Sequence, residues 1–295
     1  PAEPALSASL TGRFVALSPL HWMEMGAANR VPSVALRPRA FIRVAGPQAE
    51  DYLQRMVSND VAALAPGDAC DALLLTAKGR VIAPLRIVRR GAESFLLLTD
   101  PQLGETVQSH LLQFRFAARA EIEPESHDSH IQFGEDPPEG VLAVPNDDYG
   151  TPAWEIIGSA LPPAASLVSA DELERMRIEA GTPRYGSEID ERVLPAEAGL
   201  IDRAVSLTKG CYPGQEPIAR LHYRGHANRE LRVLAIDGGH LPAAETDIRY
   251  GEKVVGRVTS AARSNGGIVA LGFVRVEVPT DAELEIGSGK ARSLH

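Results

Sequence analysis

Short β-rich runs separated by glycines and prolines fill the last part of the chain. The runs cover residues 231–236, 253–259, 268–276 and 282–286. Several short strands joined by turn signals favour a small antiparallel barrel or sandwich. We therefore predict a C-terminal β-barrel domain over residues 229–295.

The preceding region, residues 1–228, alternates between strands and amphipathic helices without a repeat or a low-complexity tract. Strands are predicted at 39–44, 72–77, 80–88 and 94–99, the last three as an antiparallel meander. Apolar residues recur at helical spacing after Pro47, after Asp100 and after Ser169, and Ser169 with Glu172 forms a capping box. The pattern predicts the α+β class, with residues 1–228 as one region or as two interleaved α+β subdomains.

The composition is that of an ordinary globular protein of two or three compact units, because 44% of the 295 residues are hydrophobic and 23% are charged. The longest apolar runs are far shorter than the roughly 20 residues of a membrane span, and the first ten residues lack the basic start of a signal peptide. We therefore expect a cytoplasmic protein with no membrane partner. The net charge of −9 makes direct nucleic-acid binding unfavourable, because phosphate neutralisation needs a basic face.

Two cysteines are too few for a disulfide framework in a chain of this length, and no Cys-x-x-Cys pair is present. Cys70 falls in an apolar run that is typical of a strand entering the core, so its predicted role is structural. The eight histidines show no ligand spacing with either cysteine. No stably bound metal is therefore expected.

The other cysteine lies in the run Lys209-Gly210-Cys211-Tyr212-Pro213-Gly214-Gln215-Glu216. A thiol becomes a thiolate more readily beside a lysine and near a helix N-terminus, so Cys211 is a candidate catalytic or reactive group with Lys209 as its activating cation. Gly210 and Gly214 are expected to keep its surroundings open. The alternative is that Cys211 is a small buried apolar residue, which is the usual environment of a free cysteine.

This octet resembles the signature of the YgfZ group of folate-binding proteins, which is related to the T-protein, the aminomethyltransferase of the glycine cleavage system. The family pattern continues to an arginine that Arg220 matches. The signature positions in this chain are therefore Gly210, Tyr212, Gly214, Gln215, Glu216 and Arg220.

Further segments resemble T-protein motifs in order and in spacing. They are residues 177–181, 185–189 and 195–200, with residues 256–260 resembling a strand of the T-protein barrel. The resemblance covers residues 40–276. It implies T-protein-like folate-binding α/β domains followed by an antiparallel β-barrel.

The resemblance also implies a bound tetrahydrofolate or folate derivative. Glu179 matches the family glutamate that hydrogen-bonds the pteridine, and a carboxylate offers two acceptors to paired N–H donors. The other cofactor-binding candidates are Arg177, Glu197 and Arg229. Local chemistry alone favours the alternative that Glu179 is solvated or paired with Arg175. Asp100 falls where T-proteins have a folate-contacting Asn, but its Asp-Pro context makes a helix cap the preferred prediction.

A basic segment follows the octet, with only Glu230 opposing it. Its members are Arg220, His222, Arg224, His226, Arg229 and Arg232. Such a run is usually a solvated surface. The functional alternative is an anion site for the glutamate tail of folate or, less favoured, for an RNA backbone.

The chain departs from the T-protein pattern at one catalytic element. Aminomethyltransferases carry an Asp pair after a Gly-Gly turn, where this chain has Ala83 and Pro84. Because these positions lack the acid/base carboxylates, aminomethyl transfer is not expected.

The resemblance therefore implies a tetrahydrofolate-binding accessory protein with a reactive cysteine, which supports the assembly or repair of iron–sulfur enzymes and tRNA modification. Its partners would be folate and iron–sulfur enzymes or cluster-assembly proteins. Two alternatives stay open at this point. One is a folate-dependent aminomethyl or methyl transferase or demethylase, and the other is a folate-binding module in which Cys211 is inert.

Overall fold

The computed structural model describes residues 33–158, 166–264 and 266–294 of the chain. The strands of this part are β1 (Ser33–Leu36), β2 (Ala40–Ala45), β3 (Ala69–Leu75), β4 (Val81–Gly91), β5 (Ser94–Thr99), β6 (Glu121–Glu125), β7 (Ser129–Phe133), β8 (Leu142–Asn146), β9 (Ala153–Ile157), β10 (Ser166–Leu167), β11 (Arg229–Asp237), β12 (Asp247–Tyr250), β13 (Lys253–Ser264), β14 (Gly267–Arg275), β15 (Leu284–Ile286) and β16 (Gly289–Ser293). Its helices are α1 (Ala49–Met56), a 3-10 helix (Pro101–Leu103), α2 (Gly104–Gln113), α3 (Ala170–Glu179), α4 (Ile201–Ala204) and α5 (Gln215–Arg224).

The predicted meander forms most of one five-stranded sheet, which has the order β3-β4-β5-β2-β6. Every neighbouring pair in this sheet is antiparallel. Helices α1 and α2 cover one of its faces, because Leu53, Val107 and Leu111 pack with Ile42 and Leu97 of the sheet. This part of the sequence prediction is confirmed.

A second five-stranded sheet has the order β10-β1-β7-β9-β8 and is antiparallel except for the β1–β10 pair. It packs on the free face of the meander sheet, where Val144 and Ile157 contact Leu96 and Leu98 of β5. The meander sheet is therefore covered on both faces. This explains why residues 95–98 are uniformly apolar instead of alternating.

The C-terminal strands close into a barrel in the order β11-β14-β13-β12-β15-β16. All of its neighbouring strands are antiparallel. The α+β class and the antiparallel C-terminal barrel are therefore confirmed. The apolar runs of the sequence correspond to β11, β13, β14 and β15. Strands β12 and β16 were not predicted, because they are short and contain charged residues that interrupt the apolar pattern.

Helix α3 connects the barrel to the second sheet. It begins as the capping box predicts, since the Ser169 hydroxyl accepts a hydrogen bond from the Glu172 N–H at 3.1 Å. Leu173 packs against Ile131 of β7, and Ile178 packs against the barrel residue Val233. One short helix therefore holds two parts of the fold together.

Asp100 is the N-cap residue of the 3-10 helix, as predicted, but its side chain does not act as the cap. The chain does enter a helical segment at Pro101, but the Asp100 carboxylate makes no capping hydrogen bond. The Asp100 backbone carbonyl accepts the Leu103 N–H at 2.9 Å instead, which satisfies the first turn without the side chain. The carboxylate is left to line the cleft described below.

Candidate functional site

A cleft lies where the two open sheets meet the segment that follows α3. Its free volume is about 700 Å³, counting the part that is open to solvent. We call it the arginine cleft, because it is lined by Arg37, Arg39, Arg86, Arg177, Arg184 and Arg203. The carboxylates of the lining are Asp71, Asp100 and Asp148, and its apolar wall includes Leu73, Pro84, Leu85, Leu200 and Ala204. An apolar wall with a few convergent polar groups is typical of a small-molecule site.

Most charges of the cleft neutralise one another. Arg86 Nε contacts Asp71 at 2.9 Å, and Arg86 Nη1 contacts Glu155 at 3.3 Å. Arg39 donates to both oxygens of Glu155, at 2.8 and 3.1 Å, and Arg203 pairs with Asp71 from α4. Burial alone would raise the pKa of Asp71, but Arg203 and Arg86 hold it below its usual value. This network links β3, β4 and β9, and its charged groups are paired with one another.

Arg177 is a buried member of a second network. Its Nη1 contacts Glu188 at 3.0 Å, while its Nη2 donates to Glu174 at 2.7 Å and to Ser260 Oγ at 3.0 Å. Ser260 in turn donates to Glu188 at 2.6 Å, so the network links α3 to β13 of the barrel. Arg177 lines the cleft, but its N–H groups already have protein partners. Its cofactor-binding role stays a prediction.

Arg37 differs from the other arginines of the cleft. Ion pairs engage Arg39, Arg86, Arg177, Arg184 and Arg203. Within the described residues Arg37 has no ion pair, and its buried Nε has no hydrogen-bond partner. Its guanidinium carbon lies 5.9 Å from the centroid of the Tyr149 ring.

The hydroxyl of Tyr149 is a second unused polar group. Tyr149 is 4% exposed, and its buried hydroxyl has no hydrogen-bond partner in the described part of the chain. Burial raises the pKa of Tyr149 to about 12, so the group is a neutral O–H donor at pH 7. A buried polar group without a partner costs about 1–3 kcal/mol, which a ligand acceptor would recover.

Glu179 is not among the residues that line the arginine cleft. At the end of α3 its carboxylate pairs with Arg175 and accepts a hydrogen bond from Ser264 Oγ at 2.8 Å. This is the local pairing that the sequence offers as the alternative to a pteridine contact. The pteridine role of Glu179 stays a prediction.

Glu197 and Arg229 lie together at the start of the barrel. Arg229 contacts the two Glu197 oxygens at 3.1 and 3.2 Å and stacks 4.4 Å from the ring centroid of Phe273. Glu197 also accepts the Leu194 N–H at 3.0 Å. The structure therefore brings these two predicted cofactor-binding residues together, with each other as partners, outside the lining of the arginine cleft.

Cys211 and Lys209 of the octet have different environments. Cys211 is exposed, which excludes the buried alternative. Lys209 is buried, and its Nζ donates to the carbonyls of Val57 and Asn59 at 2.9 and 2.6 Å. Burial lowers the pKa of Lys209 to about 8. The ammonium group is thus held by backbone carbonyls, and its role as an activating cation for Cys211 stays a prediction.

The rest of the octet packs behind the wall of the cleft. Tyr212 belongs to an apolar cluster with the cleft residues Leu73 and Leu200. Gly214 is the N-cap of α5 with a φ of +81°, and a Cβ there would lie 2.6 Å from the Thr76 carbonyl oxygen. The expectation that Gly214 keeps open space is therefore wrong, whereas Gly210 has nothing within 4 Å of a Cβ position.

The outer residues of the signature and the basic segment do not form one basic face. Gln215 Nε2 donates to the Lys209 carbonyl at 3.4 Å, while Glu216 and Arg220 are exposed on α5. Arg232 is buried and donates to the Val278 carbonyl at 2.7 Å. The exposed basic residues of the segment are Arg220, His222, Arg224 and His226.

In the described part of the chain, no three His, Cys, Asp or Glu side chains cluster in a way that would hold a metal ion. Within the same residues, no helix combines the length and the apolar character that a membrane crossing requires.

Comparison with known proteins identifies relatives along most of the chain. No protein-family model matches it. The chain is 28% identical over 276 residues to the iron-sulfur cluster assembly factor IBA57, mitochondrial, of Mus musculus, which covers 81% of the chain and 76% of the relative. It is 27% identical over 270 residues to the tRNA-modifying protein YgfZ of Yersinia pseudotuberculosis, which covers 80% of the chain and 82% of that protein. The chain is related to the YgfZ and IBA57 proteins.

A solved structure shares the fold of the chain. The crystal structure of the glycine cleavage system aminomethyltransferase T from Bartonella henselae superposes with a TM-score of 0.77, covering 94% of the chain and 89% of that structure at 19% identity. The YgfZ-type resemblance is therefore confirmed, and the T-protein-like fold with it.

Two polar residues of the cleft, Arg37 and Tyr149, were not predicted from the sequence. Arg37 follows a short strand in an Arg-Pro-Arg run, and Tyr149 lies in an Asp-Asp-Tyr-Gly turn. Neither run belongs to the segments that carry the resemblance. Only the folded chain shows that the two side chains meet.

Proposed function

We propose that this protein binds tetrahydrofolate in the arginine cleft and acts as an accessory protein in the assembly or repair of iron–sulfur enzymes, including enzymes that modify tRNA. The names of its relatives support the cellular role, since one is an iron-sulfur cluster assembly factor and the other a tRNA-modifying protein. The T-protein-like fold supports folate as the ligand, because the T-protein resemblance implies a folate site.

The unpaired carboxylate of Asp100 is the observation that carries the folate assignment. A 2-amino-4-oxo-pteridine presents adjacent N–H donors, for which a carboxylate is the matching acceptor. Asp71 and Asp148 also line the cleft, but both are bonded to arginines. Asp100 has no side-chain partner in the described residues, and it falls where T-proteins have a folate-contacting Asn.

Glu179 is the competing pteridine acceptor. Each of its two oxygens already accepts a hydrogen bond, one from Arg175 and one from Ser264, and it does not line the cleft. We therefore assign the pteridine to Asp100 and keep Glu179 as the comparison residue. The two assignments predict opposite results for the same pair of variants.

Cys211 is the group that we assign to the iron–sulfur partner. Its thiol is exposed, so a protein or an iron ion can reach it. A thiol in such a place can ligate iron or exchange with another thiol. Cys70 is the poorer candidate, because it is half-buried and burial raises its pKa to about 12.

The wall of the cleft favours binding over aminomethyl transfer. At the two positions where T-proteins have aspartates, Ala83 is fully buried and Pro84 forms part of the lining. Neither side chain can hold or move a proton. We therefore propose that the cleft binds folate without catalysing aminomethyl transfer.

Calorimetric titration with tetrahydrofolate tests the folate assignment. We expect saturable binding to the wild type, a loss of about tenfold or more in Asp100→Ala, and unchanged affinity in Glu179→Ala and in the exposed-site control Asp237→Ala. Loss in Glu179→Ala with retention in Asp100→Ala would move the pteridine to Glu179. Absence of binding to the wild type would refute the folate function.

The cellular role needs a separate readout. In cells that depend on this protein, we expect Cys211→Ser to lower the activities of iron–sulfur enzymes while the purified variant binds tetrahydrofolate with wild-type affinity. Cys70→Ser serves as the matched control and should keep the cellular function. Full function of Cys211→Ser would show that the thiol is inert.

A further inference from the structure

Arg37 and Tyr149 bring two unused hydrogen-bond donors to one place in the arginine cleft. Arg37 directly follows β1, and Tyr149 lies in the connection between β8 and β9. Both residues line the cleft. Tyr149 is 4% exposed, and within the described residues neither its buried hydroxyl nor the buried Nε of Arg37 has a hydrogen-bond partner. The guanidinium carbon lies 5.9 Å from the centroid of the tyrosine ring.

The fold holds the backbone of Arg37 and the ring of Tyr149 in position. The Arg37 backbone N–H donates to the Ser129 carbonyl at 3.1 Å, and the Ser129 hydroxyl donates to the Arg37 carbonyl. The Tyr149 ring packs edge-on against Phe133, with 5.9 Å between the ring centroids. A tyrosine ring that is already packed loses little side-chain entropy when its hydroxyl binds an acceptor.

The charge of Arg37 is not cancelled by the acidic groups around it. Asp148 is paired with Arg203, and Glu155 is paired with Arg39. Glu174, another carboxylate that Arg37 influences, is paired with Arg177 and Arg184. No carboxylate of the described residues forms an ion pair with Arg37, so its guanidinium charge is available to an anionic ligand.

We infer that Arg37 and Tyr149 form a carboxylate subsite of the arginine cleft, which holds a carboxylate of the glutamate moiety of folate. A planar guanidinium fork and a hydroxyl are both donors that match carboxylate oxygens. The inference rests on the proposed folate function and extends it, because it assigns the anionic end of the ligand as well as the pteridine. The exposed basic segment after the octet is then not needed to bind the glutamate tail of folate.

Two ligands separate this subsite from the pteridine site. Tetrahydrofolate carries both ends, whereas 6-methyltetrahydropterin has the ring and no carboxylate. For tetrahydrofolate we expect affinity to fall about 10- to 100-fold in Arg37→Gln and about 3- to 10-fold in Tyr149→Phe, with Arg37→Lys between Arg37→Gln and the wild type. The affinity for 6-methyltetrahydropterin should stay the same in all three variants.

The control Arg257→Gln removes an exposed arginine of the barrel and should change neither affinity. The ligand-free Tyr149→Phe protein should have a Tm equal to or above that of the wild type, because the substitution removes an unbonded buried hydroxyl. A purely structural tyrosine would instead lose stability.

Four results would overturn the inference. Equal losses for both ligands would show that Arg37 and Tyr149 support the ring site, and unchanged affinity with a lower Tm would make the pair a packing contact. Binding of neither ligand to the wild type would refute the folate function and the subsite with it. Retained pterin binding with no effect of Arg37→Gln on tetrahydrofolate affinity would refute the subsite alone.

Discussion

Gly214 at the start of α5 packs backbone against backbone on Gly79, the turn residue between β3 and β4. A Cβ on Gly214 would lie 3.0 Å from Gly79 Cα and 2.6 Å from the Thr76 carbonyl oxygen, and both glycines have positive φ angles, +81° and +72°. The octet that carries the YgfZ signature therefore packs against the meander sheet through Gly214. This contact sets where α5 begins relative to Cys211.

Substitution of Gly214 by Ala should be strongly destabilising. The left-handed conformation costs a non-glycine residue about 1–2 kcal/mol, and the overlap with backbone atoms adds about 1–3 kcal/mol because neither neighbour is a flexible side chain. Gly251→Ala is the matched control, since Gly251 has a φ of +59° and nothing within 4 Å of its Cβ position. Urea denaturation of both variants checks the prediction. Equal losses would mean that conformation alone, and not the contact with Gly79, requires the glycine.

The buried carboxylate of Glu188 should contribute more to the free energy of unfolding than an exposed carboxylate in the same region. It is bonded to Arg177 at 3.0 Å and to Ser260 at 2.6 Å, so Glu188→Gln leaves a buried guanidinium with less compensation. We expect a loss of about 2–4 kcal/mol in the free energy of unfolding, since breaking a buried pair costs about 3–5 kcal/mol and Glu174 remains as a partner. Glu172→Gln, at an exposed pair with Arg175, should cost less than about 0.5 kcal/mol. Similar losses in both variants would contradict the assignment of a buried network.

The strands and helices that could be predicted from the sequence are those marked by a local signal, such as a turn glycine or a helix cap. Turn glycines between apolar runs predict the meander, and the Ser169 hydroxyl with the Glu172 N–H begins α3 as expected. The second sheet could not be predicted in this way. Its strands β1 and β10 are short, and their neighbours come from distant parts of the chain. Pairing of that kind depends on the folded core rather than on local spacing.

The chemistry of the site was less predictable than the fold. Sequence spacing indicates that Glu179 and Asp100 are carboxylates near helix ends, but it does not show which of them has a partner. The structure supplies that information, because Glu179 is paired with Arg175, as local chemistry allows, whereas the Asp100 carboxylate makes no capping hydrogen bond. Arg37 becomes a candidate only through its contact with Tyr149, 112 residues later in the chain.

The two thiols should react at very different rates. Cys211 is exposed, while Cys70 is half-buried and has a pKa raised to about 12 by burial and by the charge of Asp71. Because the thiolate is the nucleophile, iodoacetamide at pH 8 should modify one thiol quickly and leave Cys70 largely unmodified. Mass spectrometry of the wild type and of Cys211→Ser checks this. Rapid labelling that persists in Cys211→Ser would show that Cys70 is accessible.

Lys209 should make stability depend on pH in the alkaline range. Burial lowers its pKa to about 8 in the folded protein, against about 10.4 in the unfolded chain. Between these values the unfolded chain holds a proton that the folded protein has released, so the free energy of unfolding rises with pH, by at most about 1.4 kcal/mol per unit. Below pH 8 both states are protonated, and this contribution is constant.

The comparison of wild type with Lys209→Met isolates this effect from the titration of other groups. Lys209→Met should be less stable at pH 7, because the carbonyls of Val57 and Asn59 lose the ammonium donor. The stability difference should then grow by about 1 kcal/mol between pH 8 and pH 9.5, as only the wild type gains from proton release. Urea denaturation at several pH values measures it, with the exposed Lys253→Met as the control that should show no such growth. If the free energies of unfolding of wild type and Lys209→Met changed with pH in parallel, the pKa of Lys209 would not be lowered in the folded protein.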